Sequence, residues 1–92
     1  MACQITSASQ LKLLTMNVLR AAASAPTLKP DTKWADPPLM FAPQFVGGFY
    51  FPLRDAIEAH GCMLKRFSPA ICASSDTPQD IIDGLAKELK LN

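Results

Sequence analysis

Prolines constrain the fold of this chain more than any other feature. Five of the eight prolines lie between Pro26 and Pro43. Proline has no backbone N–H group and its φ angle is held at about −65°, so helices and central strands do not continue through several prolines. We therefore predict an irregular segment at residues 26–43. This segment also contains Trp34 and the apolar run from Leu39 to Phe41, which predicts that it packs against the domain's own core or against a partner.

Length and composition limit the classes of protein to which the chain can belong. Its 92 residues are enough for a single domain over residues 1–92. A domain of this size buries only about 60% of the surface of its unfolded chain. Because 49% of the residues are hydrophobic and only 18% are charged, we expect an exposed apolar patch, the kind of surface that binds partners. The net charge of +1 disfavours nucleic acid as a partner, since its binding requires a basic excess.

Two amphipathic helices are predicted at the ends of the chain. Ser7 and Gln10 form a capping box at the start of the first helix, and Pro26 ends this helix near Ser24. Thr77 is the predicted N-cap of the last helix, with Pro78 in its first turn. Apolar residues follow each cap at helical spacing. They are Leu11, Leu14, Val18, Ala21 and Ala22 in the first helix, and Ile81, Ile82, Leu85, Ala86 and Leu89 in the last.

The middle of the chain predicts a small sheet with one short helix. β-Branched and aromatic residues from Phe45 to Phe51 indicate a strand. A helix then starts at Pro52 and ends at Gly61, which suits a left-handed C-terminal position, and His60 can cap its last carbonyl groups. Alternating residues at 62–67 indicate a second strand.

Two further segments are candidates for strands, namely residues 69–73 and the alternation of Cys3 with Ile5. The predicted fold class is therefore α+β. Two terminal helices and one short middle helix pack on a sheet of two to four strands. The sheet is expected to be antiparallel or mixed, because the connection between the two main strands is near the minimum for a parallel crossover.

The number and spacing of the cysteines indicate the cellular compartment. Cys3, Cys62 and Cys72 are odd in number and form no CxxC pair, so we expect free thiols, no disulfide framework and an intracellular protein. With His60 they lack a fourth metal ligand, so no metal site is predicted. No apolar run is long enough to span a membrane, which predicts a soluble, cytoplasmic protein. The absence of acidic residues before residue 30 leaves a mitochondrial presequence as the alternative.

The leading functional hypothesis is a small protein-interaction module. No phosphate-binding loop, dinucleotide motif or zinc-finger spacing occurs, so we predict no cofactor and no catalytic residue. Inhibitors, adaptors, regulatory subunits and small phage-encoded proteins that block a host complex have this profile. The partner is another protein or a second copy of the chain. The predicted contact residues are Trp34, Leu39, Met40, Phe41, Phe49, Tyr50 and Phe51.

Two alternative functions stay open at this point. The first is a small thiol-dependent enzyme in which His60 activates Cys62. The second is a single-stranded RNA binder, because the predicted aromatic strand at 48–51 is similar to the base-stacking strand of RNA-recognition sheets. Lys65 and Arg66 on the next predicted strand support that second reading.

Overall fold

The molecule is all-α. A computed structural model describes residues 3–37 and 39–91, so Met1, Ala2, Pro38 and Asn92 of the predicted 1–92 domain lie outside the described residues. Within the two ranges the chain forms helices and no strand, and the predicted α+β fold is therefore wrong. The helices are α1 (Ala8–Ala22), α2 (Pro43–Gly47), α3 (Tyr50–Glu58), α4 (Pro69–Ala73) and α5 (Pro78–Glu88). The Cα radius of gyration is 12.3 Å.

Both predicted terminal helices are confirmed. The Ser7 hydroxyl accepts a hydrogen bond from the Gln10 N–H group at 3.1 Å, which caps the start of α1. Ser24 has a left-handed φ of 53° just beyond its end. At the start of α5, the carboxylate of Asp80 accepts a hydrogen bond from the Asp76 N–H group at 2.8 Å. Pro78 lies in the first turn of α5, where its missing donor is not needed.

The predicted strand Phe45–Phe51 is wrong, because this segment is helical. It forms most of α2 and the first two residues of α3, and Pro43 starts α2 at a position where its ring is tolerated. One side of the run is buried, through Val46, Phe49, Leu53 and Ile57. Phe45 and Phe51 are exposed. Apolar residues on two sides of a helix read as a continuous apolar run, and periodicity cannot separate such a run from a strand.

The predicted middle helix is confirmed as α3, which begins two residues earlier than expected. Gly61 has the predicted left-handed conformation, with a φ of 81°, although the helix ends before it, at Glu58. His60 Nδ1 lies 2.9 Å from the Ala56 carbonyl oxygen. Since a carbonyl oxygen only accepts, Nδ1 donates the proton, and the predicted capping role of His60 is confirmed.

The other three predicted strands are also absent from the described residues. Residues 69–73 form α4, which starts with Pro69. Ile5 is buried but is not part of a strand. The N–H group of its neighbour Gln4 donates to the His60 carbonyl at 2.8 Å. Within the predicted strand at 62–67, the Cys62 N–H group donates to the Ile57 carbonyl, and the donors of residues 65–67 bind a side chain in place of a neighbouring strand. The Glu88 carboxylate accepts from the N–H groups of Lys65, Arg66 and Phe67 at 2.6, 3.0 and 2.6 Å.

Replacing Glu88 by alanine should lower the free energy of unfolding by about 2 kcal/mol. The change removes the acceptor of three N–H groups, and water replaces it poorly at Phe67, which is buried. Urea denaturation followed by far-UV circular dichroism measures the loss. Glu58→Ala is the matched control, because Glu58 is an exposed carboxylate on α3 and should change stability by less than about 0.5 kcal/mol. Equal effects of the two variants would contradict the role of Glu88.

The Pro-rich segment is irregular, as predicted, across its described residues up to Ala42. It runs along the connection between α4 and α5. The Trp34 N–H group donates to the Asp76 carbonyl at 3.0 Å, and the Trp34 indole N–H group donates to Ser75 Oγ at 3.0 Å. The Gln79 N–H group donates to the Pro30 carbonyl at 2.9 Å. The segment therefore packs against its own domain.

Packing of the short helices leaves one side of α2 and α3 uncovered. Helix α1 contacts α3 and α5, while α2 contacts α4. A Cβ atom on Gly47 would lie 3.3 Å from the Pro69 carbonyl oxygen and 3.4 Å from the Ala73 Cβ atom, so glycine allows α2 to approach α4 closely. The outer side of the α2–α3 run, which carries Phe45 and Phe51, remains at the surface.

Candidate functional site

The structure divides the seven predicted contact residues by burial. Trp34 and Phe49 are only 2% and 4% exposed, so these two residues belong to the core and offer no exposed contact surface. Met40 and Phe51 are 70% and 51% exposed. The remaining three are partly buried against the core: Leu39, Phe41 and Tyr50.

An aromatic cluster connects the core to the surface. The Trp34 ring lies 6.2 Å from the Phe41 ring and 5.4 Å from the Phe49 ring, measured between centroids. The Phe45 ring lies 4.7 Å from Phe41 and 5.4 Å from Phe49. Offset and edge-on pairs at these distances are favourable. The buried rings therefore hold Phe45 in place, although Phe45 itself is 52% exposed.

The exposed side of α2 and α3 is a patch that we call the aromatic face, defined by Phe45, Gly48 and Phe51. Successive members are three residues apart, so each lies about 60° from the next around a helical run, and Phe45 and Phe51 flank Gly48. A shallow hollow lies on each side of Gly48, and none of the residues that line the two hollows is charged. The lining residues are Ala22, Gln44, Phe45, Gly47, Gly48, Phe49, Phe51, Pro52, Pro69, Ala70 and Ala73.

Gly48 keeps the centre of the aromatic face low. Its φ of −66° and ψ of −19° are ordinary helical values that any residue adopts. A Cβ atom there would meet only the Phe45 carbonyl oxygen, at 3.3 Å. Glycine in a helical conformation is less stable than alanine by about 0.5–1 kcal/mol. The absence of a side chain therefore gives the face its two hollows at some expense of stability.

A pair of opposite charges lies at the edge of the aromatic face. The Arg54 guanidinium lies 5.6 Å from the centre of the Phe51 ring and 5.5 Å from that of Tyr50, and it forms an ion pair with Asp55 at 3.2 Å. The side-chain hydrogen bond to Asp55 raises the pKa of Arg54 above its ordinary value. The patch thus has an uncharged centre and a charged edge, as protein interfaces have.

Phe45 and Gly48 are absent from the predicted contact set. The signal that would have found them is the helical spacing of Phe45, Gly48 and Phe51 beside the buried stripe of the same run. A strand assignment hides this spacing, because alternation places Phe45 and Phe51 on one side of a strand with Phe49.

The expectation of free thiols is wrong for Cys3 and Cys62 and is confirmed for Cys72. Cys3 and Cys62 form a disulfide across a separation of 59 residues, and only Cys72 is free. Cys72 is buried, and desolvation raises the pKa of its thiol to about 12. In the disulfide Cys62 has no thiol to act as a nucleophile, so the Cys62/His60 enzyme hypothesis loses its reacting group. The intracellular and cytoplasmic expectation loses its basis as well.

The RNA hypothesis required a strand that the structure does not contain. Residues 48–51 are helical or in a turn, and Phe49 is buried, so the exposed row of rings on a sheet is not formed.

Among residues 3–37 and 39–91, no group of three or more His, Cys, Asp or Glu side chains is placed to hold a metal ion. No helix in this described part is long and apolar enough to cross a bilayer. No protein-family model, curated protein or solved structure matches the chain.

Proposed function

We propose that the chain is a small helical protein-interaction domain and that the aromatic face is its contact surface. The observation that carries this proposal is the pair of exposed rings, Phe45 at 52% and Phe51 at 51%, on opposite sides of Gly48. A phenylalanine side chain can bury roughly 200 Å². Covering the exposed halves of both rings removes roughly 200 Å² of apolar surface from water, which favours association by up to about 5 kcal/mol.

The grouping of these rings distinguishes them from other exposed apolar side chains. Leu13 and Met63 are more exposed, at 63% and 72%, but single exposed apolar residues are normal. The aromatic face places two rings beside two uncharged hollows, so a partner can both cover the rings and insert its own side chains. Interface centres are enriched in aromatic residues for this reason.

The contact residues proposed here differ from those that the sequence predicts. Phe45 and Gly48 replace Trp34 and Phe49, which are core residues. Phe51 is kept. Met40 is 70% exposed and has a left-handed φ of 52°, a strained conformation for a side chain of this size, and it stays a candidate outside the aromatic face.

The disulfide supports a different place of action from the predicted cytoplasm. Cytosolic reductants keep most thiols reduced, whereas disulfides persist in secretory, periplasmic and extracellular environments. The Cys3–Cys62 bond therefore favours an oxidising compartment as the place where the domain meets its partner.

Site-specific photocrosslinking tests the contact surface. A benzophenone-bearing phenylalanine at position 51 should give a discrete covalent product in cells that make the protein, because a bound partner covers this ring. The same group at Leu13, which is exposed on α1, is the matched control and should give no discrete product. Introducing Gly48→Arg beside the probe at position 51 should reduce the product at least tenfold. The same product from both probe positions, or none from position 51, would rule out this contact surface.

A further inference from the structure

We propose that the partner of the aromatic face is a second copy of this chain, bound in a two-fold symmetric dimer. This inference rests on the proposed function of the face. In a two-fold dimer the same patch occurs on both sides of the interface, so the patch must fit itself. The aromatic face contains both projecting rings, Phe45 and Phe51, and hollows on either side of Gly48. The rings of one copy can therefore enter the hollows of the other.

Charge favours the pairing of this face with itself. No residue that lines the two hollows is charged, so superposing two copies brings no like charges together at the centre. At the edge, Arg54 lies beside Asp55, which gives both signs to each copy. The net charge of +1 also causes little repulsion between whole molecules.

A second surface of the molecule differs from the aromatic face in its charge. A hollow at the C-terminal end of α5 also has an exposed apolar residue, Met63. Its lining includes one carboxylate, Glu88, and four cationic side chains, Lys65, Arg66, Lys87 and Lys90. Two copies of that surface would repel each other. Of these two surfaces, only the aromatic face can meet its own copy without repulsion at its centre.

The size of the face predicts a weak dimer. A standard interface covers about 800 Å² and 20–30 residues on each partner. Eleven residues line the two hollows of the aromatic face, roughly half of that set. Interfaces of this size are typical of transient complexes, and we therefore expect a weak dimer that dissociates in the micromolar range.

Analytical ultracentrifugation of the purified, oxidised chain tests the dimer. Between about 1 and 200 μM the average mass should rise from the 10.0 kDa of one chain towards twice that value. Gly48→Arg should weaken dimerisation at least tenfold, because it places two like charges against each other. The φ and ψ angles of Gly48 suit any residue, and its Cβ atom would require a shift of only a few tenths of an ångström at the Phe45 carbonyl oxygen, so circular dichroism should show an intact fold. Leu13→Arg adds the same charge on α1 and should dimerise like the original chain.

A charge-reversal pair makes the test specific to the two-fold arrangement. Gly48 is at the centre of the face and should lie near the two-fold axis, opposite its own copy. Gly48→Arg and Gly48→Glu should each dimerise at least tenfold more weakly alone than the original chain, and they should form a heterodimer when mixed. If either variant is unfolded, Phe51→Lys and Phe51→Glu replace the pair, with the same loss of dimer expected for each alone.

The outcomes separate this inference from the proposed function. A chain that stays monomeric at 200 μM, or dimers that Gly48→Arg leaves unchanged, would overturn the second-copy inference. If the chain is monomeric but the probe at position 51 still gives a discrete product with a different protein, the contact surface stands and only its partner changes. If the probe also gives no product, both proposals fail.

Discussion

Replacing Trp34 by alanine should lower the free energy of unfolding by about 4 kcal/mol. Removal of a large buried side chain typically costs 3–5 kcal/mol, because the cavity closes only in part. Trp34 is 2% exposed, contacts the Phe41 and Phe49 rings, and donates its indole N–H to Ser75 Oγ. Small domains have a stability of about 5–15 kcal/mol, so this single change should leave the protein close to unfolding. Urea denaturation followed by far-UV circular dichroism measures the effect. This signal does not depend on tryptophan fluorescence, which the variant lacks.

Two variants control for the separate contributions of Trp34. Trp34→Phe keeps an aromatic ring in the core and removes the hydrogen bond to Ser75, so it should lose about 1–2 kcal/mol. Met40→Ala changes an exposed residue of the same segment and should have an effect below about 0.5 kcal/mol. If Trp34→Ala were as stable as Met40→Ala, Trp34 would be a surface residue, as expected for a contact with a partner, and the packing of the Pro-rich segment would be wrong.

Reduction of the Cys3–Cys62 disulfide should lower the free energy of unfolding by a similar amount, about 4 kcal/mol. The bond closes a loop of 59 residues in sequence, and in the chain-entropy treatment its main effect is to restrict the unfolded chain. Native contacts also hold the N-terminal residues in place, through buried Ile5 and the Gln4–His60 hydrogen bond, so the reduced protein should still fold. Guanidinium denaturation with and without a phosphine reductant measures the difference between the two midpoints.

A variant without the bond provides the control. The double variant Cys3→Ser/Cys62→Ser should be as unstable as the reduced original chain, and the reductant should not change its midpoint. Cys72 is free and buried, so it does not contribute to the response in either protein. Equal midpoints for the original chain with and without reductant would show that the disulfide does not stabilise the fold.

The correct predictions from sequence rest on interactions between residues that are close in the chain. The cap of α1 joins Ser7 to Gln10, and the cap of His60 joins it to Ala56. Proline likewise acts on its own residue and its neighbours. Such features can be read without knowledge of the fold, and they identified the two terminal helices, the middle helix and the irregular segment.

The wrong predictions concern residues whose partners are distant in the chain. The N–H groups of residues 65–67 donate to the carboxylate of Glu88, which lies 21 to 23 residues away in the chain. Cys3 forms a disulfide with Cys62, which lies 59 residues away in the chain. An odd number of cysteines and a short alternating segment do not reveal such partners, because loop closure over these distances depends on how the helices pack. The short helices α2 and α4 also lacked a periodic pattern long enough to identify them.

The candidate site also combines a feature that the sequence predicts with one that depends on distant residues. The sequence by itself determined that apolar surface would be exposed, since so small and so apolar a chain cannot bury all of it. It also predicted Phe51 and its neighbours as contact residues. Only the tertiary structure decided which rings are exposed: the Pro-rich segment places Trp34 against Phe49 in the core, while Phe45 and Phe51 face outward around Gly48. Burial depends on the neighbours that packing supplies, and these neighbours come from distant parts of the chain.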